Sequence, residues 1–196
     1  FMLPAGLGLL SVSKWALEAN KRAGYVRTFF SFEDMIANND NGYFPYTPAT
    51  QLLHGLNTSC DMMLDEGLEN IWARHHRLAT GVRKAVAAWG LELCAKEEKW
   101  YSDTVSAIMV PEGFDARDVI STAYSKYNTS LGSGLSKVAG KVFRIGHLGD
   151  CNDLTLIATL GGCEAGMKLS GVSLKGSGVT AALDYFAANP LNAGER

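Results

Sequence analysis

The chain has 196 residues, enough for one large domain or a small domain with part of another, and its 47% apolar content is ordinary for a globular protein. A net charge of −2 with basic residues scattered among acidic ones leaves no footprint for a phosphate backbone, so nucleic acid is excluded as an expected partner. No run approaches the roughly 18 consecutive apolar residues of a membrane helix, so no membrane partner is expected either.

Phe1–Leu10 is apolar but lacks a basic leader and is punctuated by Pro4, Gly6 and Gly8, which argues against a signal peptide. The chain opens on a non-methionine residue in buried-looking sequence, as a piece of a longer protein would. Leu3–Ser11 reads as a turn and short strand. Lys14–Lys21 has helical character with Ser13 available as N-cap. Asn38–Gly42 is a loop on composition, and it delivers the run Tyr43-Phe44-Pro45-Tyr46-Thr47-Pro48.

From Gln51 the apolar residues Leu52, Leu53, Leu56, Cys60, Met63 and Leu64 recur at helical spacing until Gly67. A longer helix is expected from Leu68 to about Ala88. Ile71, Trp72, His75, Leu78, Ala79, Val82 and Val86 form its apolar stripe, and Arg74, Arg77, Arg83 and Lys84 its solvated face. Leu91–Cys94 and Thr104–Val110 read as strands, the second closed by Pro111. Asp115 caps a helix running to about Tyr127, a loop spans Asn128–Gly140, a strand Lys141–Ile145, and a helix about Asn152–Leu169.

Two helices followed by strand, strand, helix, strand, helix, helix describe an α/β sandwich with a small, largely antiparallel sheet covered on one side by helices. The natural boundary is near Gly67: residues 1–66 hold isolated elements, and residues 67–196 could close a core.

Cys60, Cys94, Cys151 and Cys163 show no CxxC or ligand-like spacing and read as reduced packing residues of a cytoplasmic protein. His75 and His76 are adjacent and so point to different sides of their helix, which spoils them as a metal pair; no metal site is expected. Leu131–Lys141 resembles a phosphate loop only loosely. Five residues separate Gly134 from Gly140, Val142 follows the lysine, and the loop precedes a strand.

Arg144 is the most telling residue. It stands inside the strand-like run Phe143-Arg144-Ile145 that stops at Gly146, and a guanidinium in that setting calls for an anion met by its planar fork of donors. That anion is either a substrate carboxylate or phosphate, or a structural Asp or Glu. Thr47 has two readings as well: with Tyr46, between two prolines ahead of a helix, it can donate to a phosphate oxygen, or it is an N-cap.

Leu3-Pro4-Ala5-Gly6-Leu7-Gly8, Tyr46-Thr47-Pro48-Ala49-Thr50, Glu66-Gly67-Leu68-Glu69-Asn70, Ala73-Arg74-His75, Ala88-Trp89-Gly90-Leu91 and Gly140-Lys141-Val142-Phe143-Arg144-Ile145-Gly146-His147-Leu148-Gly149 together resemble the class V, fold-type I pyridoxal-phosphate aminotransferases. The likeness is to their serine-glyoxylate and alanine-glyoxylate members, and it runs from Phe1 to about Ser170. It implies that residues 1–66 end a large cofactor-binding domain and that 67–196 form the small C-terminal α/β domain. The family's Schiff-base lysine precedes the Leu-Pro-x-Gly-Leu-Gly motif, so the resemblance places the catalytic lysine upstream of Phe1; Lys14 and Lys21 do not match it.

The resemblance further implies pyridoxal 5'-phosphate as cofactor and a homodimer as the assembly. Arg144 would clamp the substrate carboxylate. Thr47, with Tyr46 and Tyr43 beside it, would bind the cofactor phosphate of the neighbouring subunit. The implied reaction moves the amino group of serine to glyoxylate, giving hydroxypyruvate and glycine. Alanine or ureidoglycine as donor, or a non-catalytic dimerisation fragment, are the alternatives. The Gly194-Glu195-Arg196 ending does not match the peroxisomal address of some members.

Overall fold

Polar side chains open the helices where the chain offers them. The computed structural model describes residues 1–191, and the Gly194-Glu195-Arg196 ending lies outside the described residues. Ser13 accepts the Ala16 N–H to start α1 (Lys14–Arg22), and Ser31 accepts the Asp34 N–H to start α2 (Phe32–Asn39). The α3 helix (Thr50–Glu66) and α4 (Leu68–Trp89) follow, separated by Gly67 at φ 83°. Gly90 takes the left-handed conformation and its N–H closes α4 on the Val86 and Ala87 carbonyls.

Beyond α4 come β1 (Glu92–Leu93), β2 (Val105–Met109), α5 (Ala116–Tyr127), β3 (Gly132–Ser133), β4 (Val142–Gly146), α6 (Asp153–Leu169) and α7 (Gly178–Ala188). Asp115 caps α5, a reciprocal Asn152–Thr155 box caps α6, and Ser177 caps α7. The chain divides into two compact units, Phe1–Met62 and Met63–Arg196, the division falling inside α3.

The first unit buries no apolar side chain; its buried residues are Ser31 and Ser59. The strand expected over Leu3–Ser11 does not form. A strand needs a neighbour for its N–H and C=O groups, and the described sheet pairing lies wholly between residues 92 and 146. Helix α2, not foreseen, stands in its place as the second regular element of this unit.

The second unit carries one antiparallel sheet in the order β1-β2-β4-β3. Ile108, Phe143 and Ile145 point from one face into a cluster built with Leu78, Val82 and Trp89 of α4 and Leu156, Leu160 and Met167 of α6. Helices α4 and α5 contact the sheet, and the most extensive helix pairings are α4 with α7 and α5 with α6. The two-residue β3 and a turn of 3-10 helix at Ser136–Val138 occupy what was expected to be a loop.

The arginine face of α4 is not a solvated face. Arg74 and Arg77 are buried, whereas Trp72, placed by periodicity on the apolar stripe, is 64% exposed. The reason is pairing. Arg77 meets Asp153 bidentately at 2.5 and 2.8 Å, donates to the Phe186 and Asn189 carbonyls, and lies over the Phe186 ring, so one guanidinium joins α4, α6 and α7. Glu164 does the same from the acidic side. It accepts from the Trp89 indole (2.9 Å), Lys168 (2.7 Å), Ser177 (3.2 Å) and the Val179 N–H (3.2 Å).

Close approach of α4 and α7 depends on Gly81, where a Cβ would stand 2.2 Å from Phe186 Cζ. Gly81→Ala should therefore cost about 1 to 3 kcal/mol through overpacking. A denaturant midpoint unchanged from wild type would show that Phe186 can move aside.

Candidate functional site

Alternation along β4 sends Phe143 and Ile145 to the core and Arg144 to the opposite face. Its cross-strand neighbours are Ala107 on β2 and Gly132 on β3. A Cβ on Gly132 would lie 3.1 Å from Arg144 Nε, so the missing side chain is what lets the guanidinium extend over β3. Nε donates to the Ser133 carbonyl at 3.0 Å. Among the described residues no carboxylate comes within ion-pair distance of Arg144, and its two terminal nitrogens have no protein partner. A fork with that geometry is suited to a carboxylate or phosphate. It faces a cleft of about 200 Å³ lined by Arg83, Trp100, Tyr101, Val105 and Ala107 together with Arg144 itself.

The loop after β4 is fixed from α4. Arg74 pairs bidentately with Glu66 at 2.5 and 2.8 Å and donates to the Gly149 and Cys151 carbonyls. His75 Nδ1 donates to the Ile71 carbonyl at 2.7 Å, which leaves Nε2 to accept the Gly149 N–H at 3.1 Å. His147 is fully buried. Its Nδ1 donates to the Asp103 carbonyl at 3.1 Å and its Nε2 accepts the Ser106 hydroxyl at 3.0 Å. Burial lowers its pKa, so the ring stays neutral and holds the Asp103 backbone against β2.

Asp103, Arg83 and the two aromatics were not singled out from the sequence. Arg83 Nη2 donates to Asp103 Oδ1 at 2.6 Å and to the Ser102 carbonyl at 3.2 Å, and its guanidinium lies 5.3 Å from the Tyr101 ring centroid. His76 Nδ1 donates to Asp103 Oδ2 at 3.1 Å. Burial works to raise the Asp103 pKa, but the bonds from Arg83 and His76 outweigh it and hold the carboxyl below its ordinary value. No periodicity marks Arg83 apart from its solvated neighbours; only the pairing across 20 residues does.

In the first unit, Tyr46 and Thr47 border a largely apolar cavity of about 610 Å³ whose walls include Leu9, Leu10, Phe32 and Met35. The Tyr46 ring stacks on Phe29 with centroids 4.9 Å apart, and its oxygen accepts the Phe29 N–H at 3.1 Å, so the phenolic proton stays free to donate. Thr47 is not an N-cap: α3 begins at Thr50, and the Thr47 hydroxyl has no hydrogen bond among the described residues. Tyr43 is 70% exposed and stands off the cavity. Two hydroxyl donors just ahead of the 17-residue α3 are a donor set that suits a phosphate group, since the first amides and dipole of the helix also favour an anion.

No family model matches the chain. A serine–glyoxylate aminotransferase of Hyphomicrobium methylovorum is 62% identical over 192 residues, covering 96% of this chain and 47% of that protein. An L-aspartate–glyoxylate aminotransferase of Paracoccus denitrificans is 50% identical over 187 residues, 95% of this chain and 47% of the relative. Among solved structures, pyridoxamine-pyruvate aminotransferase from Mesorhizobium loti superposes with a TM-score of 0.70 at 34% identity over 74% of this chain and 38% of that one. Over nearly all of its own length the chain is thus strongly homologous to the serine–glyoxylate aminotransferase family.

Members of this aminotransferase family use pyridoxal 5'-phosphate. The chain spans about half the length of the curated aminotransferases it matches. The α/β architecture of the second unit accords with an aminotransferase fold.

Proposed function

We propose that the full-length protein is a pyridoxal-phosphate-dependent transaminase that moves the amino group of serine to glyoxylate, giving hydroxypyruvate and glycine. The observation that carries the reading is the Arg144 fork, unpaired by any described carboxylate and open to a cleft sized for a small acid. The 62% identity to a serine–glyoxylate aminotransferase points to the same donor. Residues 1–66 are then the end of the large cofactor-binding domain and residues 67–196 the small C-terminal domain, with Thr47 acting across a homodimer interface.

When bound, pyridoxal 5'-phosphate supplies the electron-withdrawing ring that stabilises negative charge at the substrate Cα. The part played by this chain is orientation. Arg144 grips the carboxylate of donor and acceptor in turn and fixes the remaining atoms in one pose. Val105 and Ala107 keep that face of the cleft apolar, which strengthens the ion pair by limiting water. The Thr47 and Tyr46 hydroxyls donate to the cofactor phosphate, and the field of α3 favours its charge.

The aspartate-using relative at 50% identity favours aspartate as a second reading for the donor. Serine, alanine, aspartate and ureidoglycine assayed side by side with glyoxylate would decide; a preference for any donor over serine would overturn the assignment. Thr47→Val in the full-length protein should weaken cofactor binding by about 1.5 to 3 kcal/mol, the range for hydrogen bonds to charged groups. Reconstitution of the apoprotein reads this directly, and wild-type affinity in the variant would remove Thr47 from the phosphate site.

A further inference from the structure

We propose that Trp100 and Tyr101 form the wall that selects among substrates by side-chain size, and that Arg83, acting through Asp103, is the positioning residue that sets that wall. The inference rests on Arg144 being the carboxylate clamp. Once the carboxylate is fixed there, discrimination falls to the other surfaces of the same cleft, and at about 200 Å³ it is smaller than the cavities that take drug-sized ligands. Trp100 is 67% exposed and contributes nothing to the core, so a packing role does not account for it.

The wall has no regular structure to hold it. After the single 3-10 turn Glu98–Trp100, residues 101–104 belong to neither helix nor strand. Backbone bonds hold the two ends of this stretch, Tyr101 N–H to the Glu98 carbonyl and His147 N–H to the Thr104 carbonyl, and side-chain ties hold what lies between. Asp103 is gripped on one oxygen by Arg83 and on the other by His76, its carbonyl is held by His147, and Arg83 also takes the Ser102 carbonyl while lying over Tyr101. The guanidinium contacts of Arg83 thus run to three consecutive residues of the wall segment, Tyr101, Ser102 and Asp103.

The test compares kcat/KM for glyoxylate, pyruvate and oxaloacetate in the full-length protein. One methylene in an apolar pocket is discriminated by about 10- to 200-fold. Trp100→Ala and Tyr101→Ala should accordingly shift the pyruvate-to-glyoxylate ratio by about 10-fold in favour of pyruvate, with the fold kept. Arg83→Met should shift the same ratio by a smaller factor, on the order of 3-fold, and Arg83→Lys should return it toward wild type because the charge facing Asp103 is restored. A structural role would lower the melting temperature and leave the ratio alone.

Unchanged ratios in folded Trp100→Ala and Tyr101→Ala overturn the wall. A shift in those two with none in Arg83→Met overturns the positioning role. Arg144→Lys, run in parallel, should depress all three acids alike. If it does not, the clamp reading fails by itself, while the ratios still report on the aromatics.

Discussion

Arg144→Lys in the full-length protein should lower kcat/KM for both the amino donor and glyoxylate by about 10- to 150-fold, the equivalent of a charged hydrogen bond of roughly 1.5 to 3 kcal/mol. Lysine keeps the charge but presents a point instead of a fork, so the second bond to the carboxylate and the orientation it imposes are lost. Stability should barely change. Arg144 has one backbone partner and no ion pair among the described residues, so removal of the guanidinium strands no buried carboxylate. Steady-state kinetics with both substrates beside a thermal melt would check this. Normal turnover in a destabilised variant would return Arg144 to a structural role.

Glu164→Gln should destabilise the second unit by about 3 kcal/mol at neutral pH. Burial works to raise the Glu164 pKa, but the bonds from Lys168, Trp89 and the Val179 N–H prevail and hold it at about 2, against an ordinary 4.5. A carboxyl depressed in the folded state lends stability above its unfolded pKa and loses it as pH falls through the folded value. Wild-type stability should therefore fall steeply between about pH 4.5 and 2, and the variant's should be flatter there. His147, also depressed, adds a loss that begins below about 6.5. Urea unfolding at pH 7, 5 and 3 reads all of this, and parallel curves for wild type and variant would dismiss Glu164 as the cause.

Legibility in the sequence followed the range of the interactions. Helices α1, α3, α4, α5 and α6 could be read because spacing and caps such as Ser13, Asp115 and Asn152 are local signals. Helix α2 was missed, since its cap Ser31 stands among Phe29, Phe30 and Phe32 with no clear stripe after it. Burial of Arg74 and Arg77 was misread because their partners lie up to 112 residues away. Arg144 announced itself by its apolar flanks and the glycine that follows. Its surroundings did not, because Arg83, Trp100 and Tyr101 share a cleft with it only once β2 has paired with β4.

The strand that carries Arg144 has a neighbour on each side. To let that residue's backbone drift, the molecule would have to unzip β2 and β3 together, and such doubly bordered segments open among the last in a domain. Amide exchange at Phe143–Ile145 should be correspondingly slow. The anchor point of the arginine is thus settled during folding; in the proposed clamp role only the outer half of one side chain would remain to be stilled by an acid, which would keep the entropic cost of recognition small.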